Sequence, residues 1–338
     1  MMPSWFALQQ IQQFTRPTEI ILDPFCGRGT VPFAAAALGR SYFGIEIFPV
    51  GWLYSAVKCK PANKRRLLDR LEEMRNTRPR SVEHSDFFRM AYSPKTLTFL
   101  CAARERLNWR GNRTDRTLMA FILISLHDKK GVGLSNQMRQ TKAFHPDYAL
   151  RWWKQHDKAV PPNIDPFELL KEKIEWRYAK GEPELKASGK IYLGDCTQVL
   201  RSASRIRDVK LLFTSPPYFR VTNYYVDQWL RNWMLGGPAR PRSGEHDYMK
   251  RFNGKDAYRK LLERAFTIAS TKLRKDAVIY VRTDARPFAL QTTRQVLQEV
   301  FPTKRLRTKV SSLSGRLSQT ALFGDLCEKP GEVDLILT

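Results

Sequence analysis

Three short stretches of this 338-residue chain place chemistry-bearing residues at the ends of apolar runs. The first is "EIILDPFCGRGTVPFAAAALG", in which Asp23 follows a β-rich run and glycines stand at Gly27 and Gly29 before an Ala-rich helical stretch. Glycine lets a backbone approach a ligand closely, and the first N–H groups of a helix carry a weak positive pole. No Lys follows the second glycine, so this is not a Walker phosphate loop. The second stretch, Tyr42–Ile47, contributes Glu46 about 20 residues further on, where a carboxylate can reach the two hydroxyls of a ribose. The third is "VKLLFTSPPYF", where an apolar run stops at Ser215-Pro216-Pro217-Tyr218. Adjacent prolines neither donate to a sheet ladder nor continue a helix from within, so these four residues form a stiff loop at a strand's end.

The elements that must position these residues follow from the same pattern. Glu19–Leu22 reads as a strand, Asp23–Thr30 as a tight turn, Val31–Leu38 as a helix stopped by Gly39, and Tyr42–Ile47 as a second strand. Strand, glycine turn, helix, strand is a βαβ unit with parallel neighbours. A further short run, Ile191–Leu193, ends in Gly194-Asp195-Cys196 and leads through a short helical crossover to "VKLLFT". In an open parallel sheet, ligands bind at the carboxyl ends of the strands near the switch point, where Asp23, Glu46, Asp195 and Ser215 all fall. The expected fold is α/β: a seven-stranded, doubly wound Rossmann-like sheet with a mostly helical insertion. Its segments read as 1–58 and 188–338 for the two halves of the sheet domain, and 59–187 for the insertion.

Composition narrows the partner. Against 33 Asp and Glu stand 58 Lys and Arg, a net charge of +25. An excess of that size favours a polyanion, because neutralising phosphates releases condensed counterions. The five cysteines are scattered with no C-x-x-C spacing, so neither zinc nor a disulfide framework is expected, and a reducing cytoplasm is the default compartment. The longest apolar run, Leu118–Leu126, is far shorter than a bilayer span and reads as a buried helix. Neither a membrane nor a metal is expected as a partner.

"DPFCGRGT" followed downstream by "TSPPY" resembles the S-adenosylmethionine-dependent amino-methyltransferases of nucleic acids, most closely the DNA cytosine-N4 methylases of restriction–modification systems. The resemblance covers roughly residues 19–58 and 188–338. It implies S-adenosylmethionine as cofactor, DNA as substrate and a cognate restriction endonuclease as a partner. It also implies that Phe25, Gly27 and Gly29 floor the cofactor pocket, with Asp23 near the methionine end and Glu46 on the ribose. Asp195 would accept from the adenine amino group, with Cys196 beside it. Ser215, Pro216, Pro217 and Tyr218 would form the catalytic loop, and Ser in the first position points to cytosine N4 ahead of adenine N6. Family members often carry a cofactor-binding segment before the "WF" found here at Trp5-Phe6; with Met1-Met2-Pro3 in front, that segment reads as shortened.

Chemistry gives the stiff loop a purpose. An exocyclic amine on a nucleobase is a poor nucleophile, since its lone pair is delocalised into the ring. A hydroxyl at Ser215 and the carbonyl of Pro216 would accept its protons at fixed spacing, while Tyr218 offers a face for a base taken out of the stack. Asn223 and Tyr224, next along the chain, are the expected substrate contacts. Carbon-5 methylation would need a cysteine nucleophile, and Cys26 and Cys196 read as packing residues instead. The stripe Tyr224, Tyr225, Trp229 and Trp233 reads as core ahead of a base platform. The insertion is either a target-recognition region, with Lys129, Lys130, Arg139 and Lys142 on phosphates, or a helical lid with a solvated basic face. Ser311–Thr320 reads as a substrate-contacting loop. The rival readings are an RNA amino-methyltransferase, an inactive DNA-binding module of the same fold, and a protein glutamine methylase, the last giving no reason for the charge.

Overall fold

The computed structural model describes residues 2–129, 131–139, 143–219, 224–241, 254–311 and 331–338. The chain divides into two compact units: Met1–Ser55, Leu185–Thr222 and His246–Thr338 form the first, Ala56–Glu184 and Asn223–Glu245 the second.

The first unit is built on strands β1 (Ile20–Asp23), β2 (Ser41–Glu46), β3 (Gly189–Leu193), β4 (Val209–Thr214), β5 (Leu273–Asp284), β6 (Leu306–Ser311) and β7 (Glu332–Leu337). They form a seven-stranded sheet in the order β3-β2-β1-β4-β5-β7-β6. The first five run parallel, and β7 inserts antiparallel between β5 and β6. The chain winds outward from β1 to β3 and then returns to β4, so the switch point lies between β1 and β4. The expected doubly wound Rossmann-like sheet is therefore present. Its central strands are buried on both faces, which is why they read as continuous apolar runs rather than alternating ones.

Side-chain alternation assigns the two faces. Leu22, Leu212, Ile279 and Val281 point into one core with Leu200, Leu262, Phe266 and Leu297, contributed by the helices Cys196–Ser202, Lys255–Ser270 and Pro287–Val300. On the other face, Phe213 and Tyr280 meet Phe6 of the helix Ser4–Phe14, with ring centroids 6.4 and 6.1 Å from it. Strand β5 runs on to Asp284, past the end of the apolar run "DAVIYV", because Arg282, Thr283 and Asp284 keep pairing with β7.

The second unit is helical. Four of its helices begin at side-chain caps that satisfy otherwise unpaired N–H groups: Asn63 accepts from Arg65, Ser93 from Thr96, Asn112 from Thr114 and Asp165 from Phe167. The helix Arg113–Ser125 is its core, with Leu118, Met119, Ile122 and Leu123 fully buried. Trp229 and Trp233 are buried as well, packed on Phe87 and Phe88, so these two residues of the aromatic stripe are core, whereas Tyr225 is only half-buried. No helix among the described residues is long and apolar enough to cross a membrane.

Candidate active site

Hydrogen bonds lace the carboxyl ends of β1, β2, β3 and β4 into one edge. After β1 the chain turns sharply, and the Cys26 N–H donates to the Ile45 carbonyl of β2 at 3.0 Å. After β3, the Gly194 N–H donates to the Glu46 carbonyl at 2.9 Å. Across the switch point, the Thr214 hydroxyl, last in β4, donates to Asp23 Oδ1, last in β1, at 2.6 Å. The glycine turn and the Ser-Pro-Pro-Tyr loop are thus tied together at the place where an open parallel sheet binds ligands.

The glycine turn needs its glycines for two different reasons. Gly27 has φ +53° and a Cβ there would meet nothing within 4 Å, so the left-handed backbone faces open space. Gly29 has φ +74° and a Cβ there would lie 2.7 Å from Ser55 Oγ. Ser55 itself donates to the Gly27 carbonyl at 2.8 Å and holds the turn against the helix Pro49–Cys59. The turn therefore leaves backbone accessible at Gly27 and is braced from behind at Gly29.

Two carboxyl groups stand at this edge with no ion pair to a cation among the described residues. Asp23 is buried, accepting from Thr214 and from the Phe25 N–H at 3.2 Å. Burial pushes its pKa up to about 7, although both hydrogen bonds pull the other way. Glu46, half-buried, accepts from the Phe48 N–H at 2.8 Å. Burial pushes it up to about 7 as well, opposed by backbone N–H groups and reinforced by the charge of Asp23. A pair of carboxyls raised by desolvation is suited to a ligand that brings positive charge and hydroxyl donors. A sulfonium nucleoside bearing an ammonium group fits that donor set, and the open face at Gly27 fits its bulk.

The other predicted residues fall as follows. Asp195 caps the helix Cys196–Ser202, its Oδ1 accepting from the Thr197 N–H at 2.8 Å. Phe25 packs partly on the core below the sheet edge, while Cys26 and Cys196 are buried, the latter within that core. Pro216 is buried, and Ser215, Pro217 and Tyr218 are half-buried. Asn223 lies outside the described residues, and Tyr224 opens the helix Tyr224–Asp227 of the second unit. Lys129 and Arg139 are exposed in the second unit; Lys130 and Lys142 lie outside the described residues, as does the Ser311–Thr320 loop apart from Ser311, which ends β6. Among the described residues no group of three or more His, Cys, Asp or Glu gathers for a metal.

Several polar residues at this edge escaped the sequence reading. Tyr218 Oη donates to Glu332 Oε1 at 2.7 Å, and Ser215 Oγ donates to Tyr218 Oη at 3.3 Å. Burial and the Glu332 charge both raise the Tyr218 phenol. Glu332 lies 3.3 Å from Arg282, which also holds Asp334 through bonds of 2.7 and 2.9 Å and covers the Phe6 ring at 3.6 Å. The available signal was charge inside apolar strands: Arg282 in "VIYVRTD" and Asp334 in "EVDLILT" demand buried partners.

Comparison with known proteins agrees in kind. The sequence model of a family described as DNA methylase matches residues 2–49. Over 37 residues the chain is 51% identical to an Escherichia coli (strain K12) protein named "Putative methylase YubD"; that match covers 11% of this chain and 16% of the relative's length. Among solved structures, a TehB-like SAM-dependent methyltransferase from Corynebacterium glutamicum aligns over 98% of this chain and 86% of its own, at 8% identity and a TM-score of 0.34. An rRNA methyltransferase, aviRa, from Streptomyces viridochromogenes aligns over 99% of this chain and 84% of its own, at 14% identity and a TM-score of 0.36. With scores that low, the fold rests on the strand order itself, and the chain's firmest likeness is to DNA methylases across the helix Ser4–Phe14, β1, the glycine turn and β2.

Proposed function

We propose that the protein transfers a methyl group from S-adenosylmethionine to an exocyclic amine of a DNA base, cytosine N4 ahead of adenine N6. The observation that carries this reading is the Thr214–Asp23 hydrogen bond, which ties the stiff Ser-Pro-Pro-Tyr loop to the glycine turn at the switch point. When bound, the cofactor supplies an electrophilic methyl on a sulfonium.

The chain's own residues supply position and polarity. Asp23 and Glu46 would hold the cofactor's charge and hydroxyls, Gly27 would let it lie against the backbone, and Asp195 would stand beside its base. Ser215 and the Pro216 carbonyl would accept protons of the target amine, drawing the nitrogen out of conjugation so that its lone pair points at the donor. Tyr218, its ring half-buried, would support the base. Stacking of about 1–3 kcal/mol offsets much of the few kcal/mol needed to take a base out of the duplex. No covalent adduct is involved, since Cys26 and Cys196 are buried packing residues.

DNA is favoured over RNA by the description of the matching family model, and the net charge of +25 suits either polyanion. Long-read modification profiling of a host expressing the gene tests the reading: a modified cytosine or adenine in a fixed sequence context supports it. An unmodified genome together with methylated host tRNA or rRNA would move the substrate to RNA.

A further inference from the structure

We propose that Glu332 sets the direction of a hydrogen-bond chain running through Tyr218 to Ser215, so that Ser215 Oγ turns a lone pair, not a proton, toward the target amine; this rests on the amino-methyl-transfer reading above. A carboxylate can only accept, and a tyrosine hydroxyl has one proton to give. At 2.7 Å from Glu332 Oε1, Tyr218 gives that proton to the carboxylate. Toward Ser215 it can then only accept, and Ser215 Oγ donates to it at 3.3 Å. With its single proton committed, Ser215 has only acceptor capacity left. That is what an amine needs from it, because a serine proton aimed at the amine would repel the N–H groups that the reaction must draw away.

The chain has a fixed anchor. Glu332 Oε2 lies 3.3 Å from Arg282 Nη1, and Arg282 is locked by two bonds to the fully buried Asp334. The antiparallel insertion of β7 makes this possible. Its register sets Glu332 opposite Asp284 and Asp334 opposite Arg282, so the first residue of β7 arrives at the sheet edge where the other strands end. A parallel final strand would bring its last residue there instead. Glu332 is a positioning residue in this scheme, acting through Tyr218 and Ser215 rather than touching the substrate.

The variant Glu332→Gln separates polarity from shape. Arg282 would keep hold of the amide oxygen, leaving the NH₂ group to donate to Tyr218; Tyr218 would then donate to Ser215 and reverse the chain. With labelled S-adenosylmethionine and duplex DNA, E332Q is expected to lose about 10- to 100-fold in kcat while both KM values stay within about twofold and the thermal midpoint is little changed. Tyr218→Phe should also lower kcat, and E332Q added to it should cause no further loss, because the chain is already cut. A readout independent of turnover is the fluorine resonance of 3-fluorotyrosine placed at position 218, which should shift in E332Q. Wild-type kcat in E332Q, additive losses in the double variant, or an unmoved fluorine resonance would each overturn the proposal. Failure of the wild type to methylate any nucleic acid would sink the functional reading, and the fluorine shift would still decide the direction of the chain.

Discussion

Replacing Asp23 by Asn separates what the buried carboxyl costs the fold from what it offers a ligand. Its pKa is pushed from an ordinary 3.8 up to about 7, and the residue is only 4% exposed, so solvent screening calls for little discount. A folded pKa raised above the unfolded one means that the folded state holds the proton more tightly. The corresponding stability is fully present below about pH 4 and is lost as pH rises through about 7. At about 1.4 kcal/mol per tenfold change, Asp23 costs the ligand-free fold, relative to a neutral side chain, about 4 kcal/mol at pH 8.5, where it is ionised in both states, and about 1.5 kcal/mol at pH 5, where the folded carboxyl is neutral and only the unfolded one ionises. Asn keeps an acceptor for the Thr214 hydroxyl and the Phe25 N–H but carries no charge. Urea unfolding at the two pH values should therefore find the stability difference, variant minus wild type, about 2–3 kcal/mol more favourable at pH 8.5. Cofactor affinity should move the opposite way, because a cationic ligand loses its counter-charge. In the wild type, binding should release protons at pH 6.5 and few at pH 8.5, seen as heats that depend on the buffer's ionisation enthalpy. A stability difference that is the same at both pH values would refute the reasoning.

Four further outcomes follow from the same geometry. Gly29→Ala should destabilise by about 2–4 kcal/mol in chemical denaturation, since it combines a left-handed backbone with a Cβ 2.7 Å from Ser55 Oγ. Gly27→Ala, strained but unobstructed, should cost only about 1 kcal/mol yet weaken cofactor binding in calorimetry. Arg282→Met should lower stability by about 3–5 kcal/mol, because Asp334 is left buried without its cation. Cys26→Ala and Cys196→Ala should each retain kcat within about threefold in the labelled assay, since neither thiol forms an adduct.

Most of the site's frame was legible because glycine, proline and acidic residues at strand ends leave few alternatives. Gly27 and Gly29 adopt the left-handed backbone that the tight turn called for, and the Ser-Pro-Pro-Tyr loop begins where β4 stops pairing. Boundaries moved by a residue or two: β1 ends at Asp23 rather than Leu22, so its carboxyl group is part of the strand and reaches Thr214. What stayed hidden depends on contacts distant in sequence. Tyr218 meets Glu332 across 114 positions, and no local pattern announces which carboxylate a phenol will find. Arg282 and Asp334 pair across two strands whose antiparallel register is set by the whole sheet. Asp195 was read only as a ligand contact, but "GDCT" is also a helix start, and its Oδ1 serves the cap.

The central claim meets its most direct test in one measurement. Purified protein is incubated with methyl-labelled S-adenosylmethionine and unmodified duplex DNA, and the DNA is then digested to nucleosides and resolved by mass spectrometry. Label in N4-methylcytosine is the expected result, with N6-methyladenine as the second. Label in neither, under conditions where calorimetry finds the cofactor bound, would contradict the account.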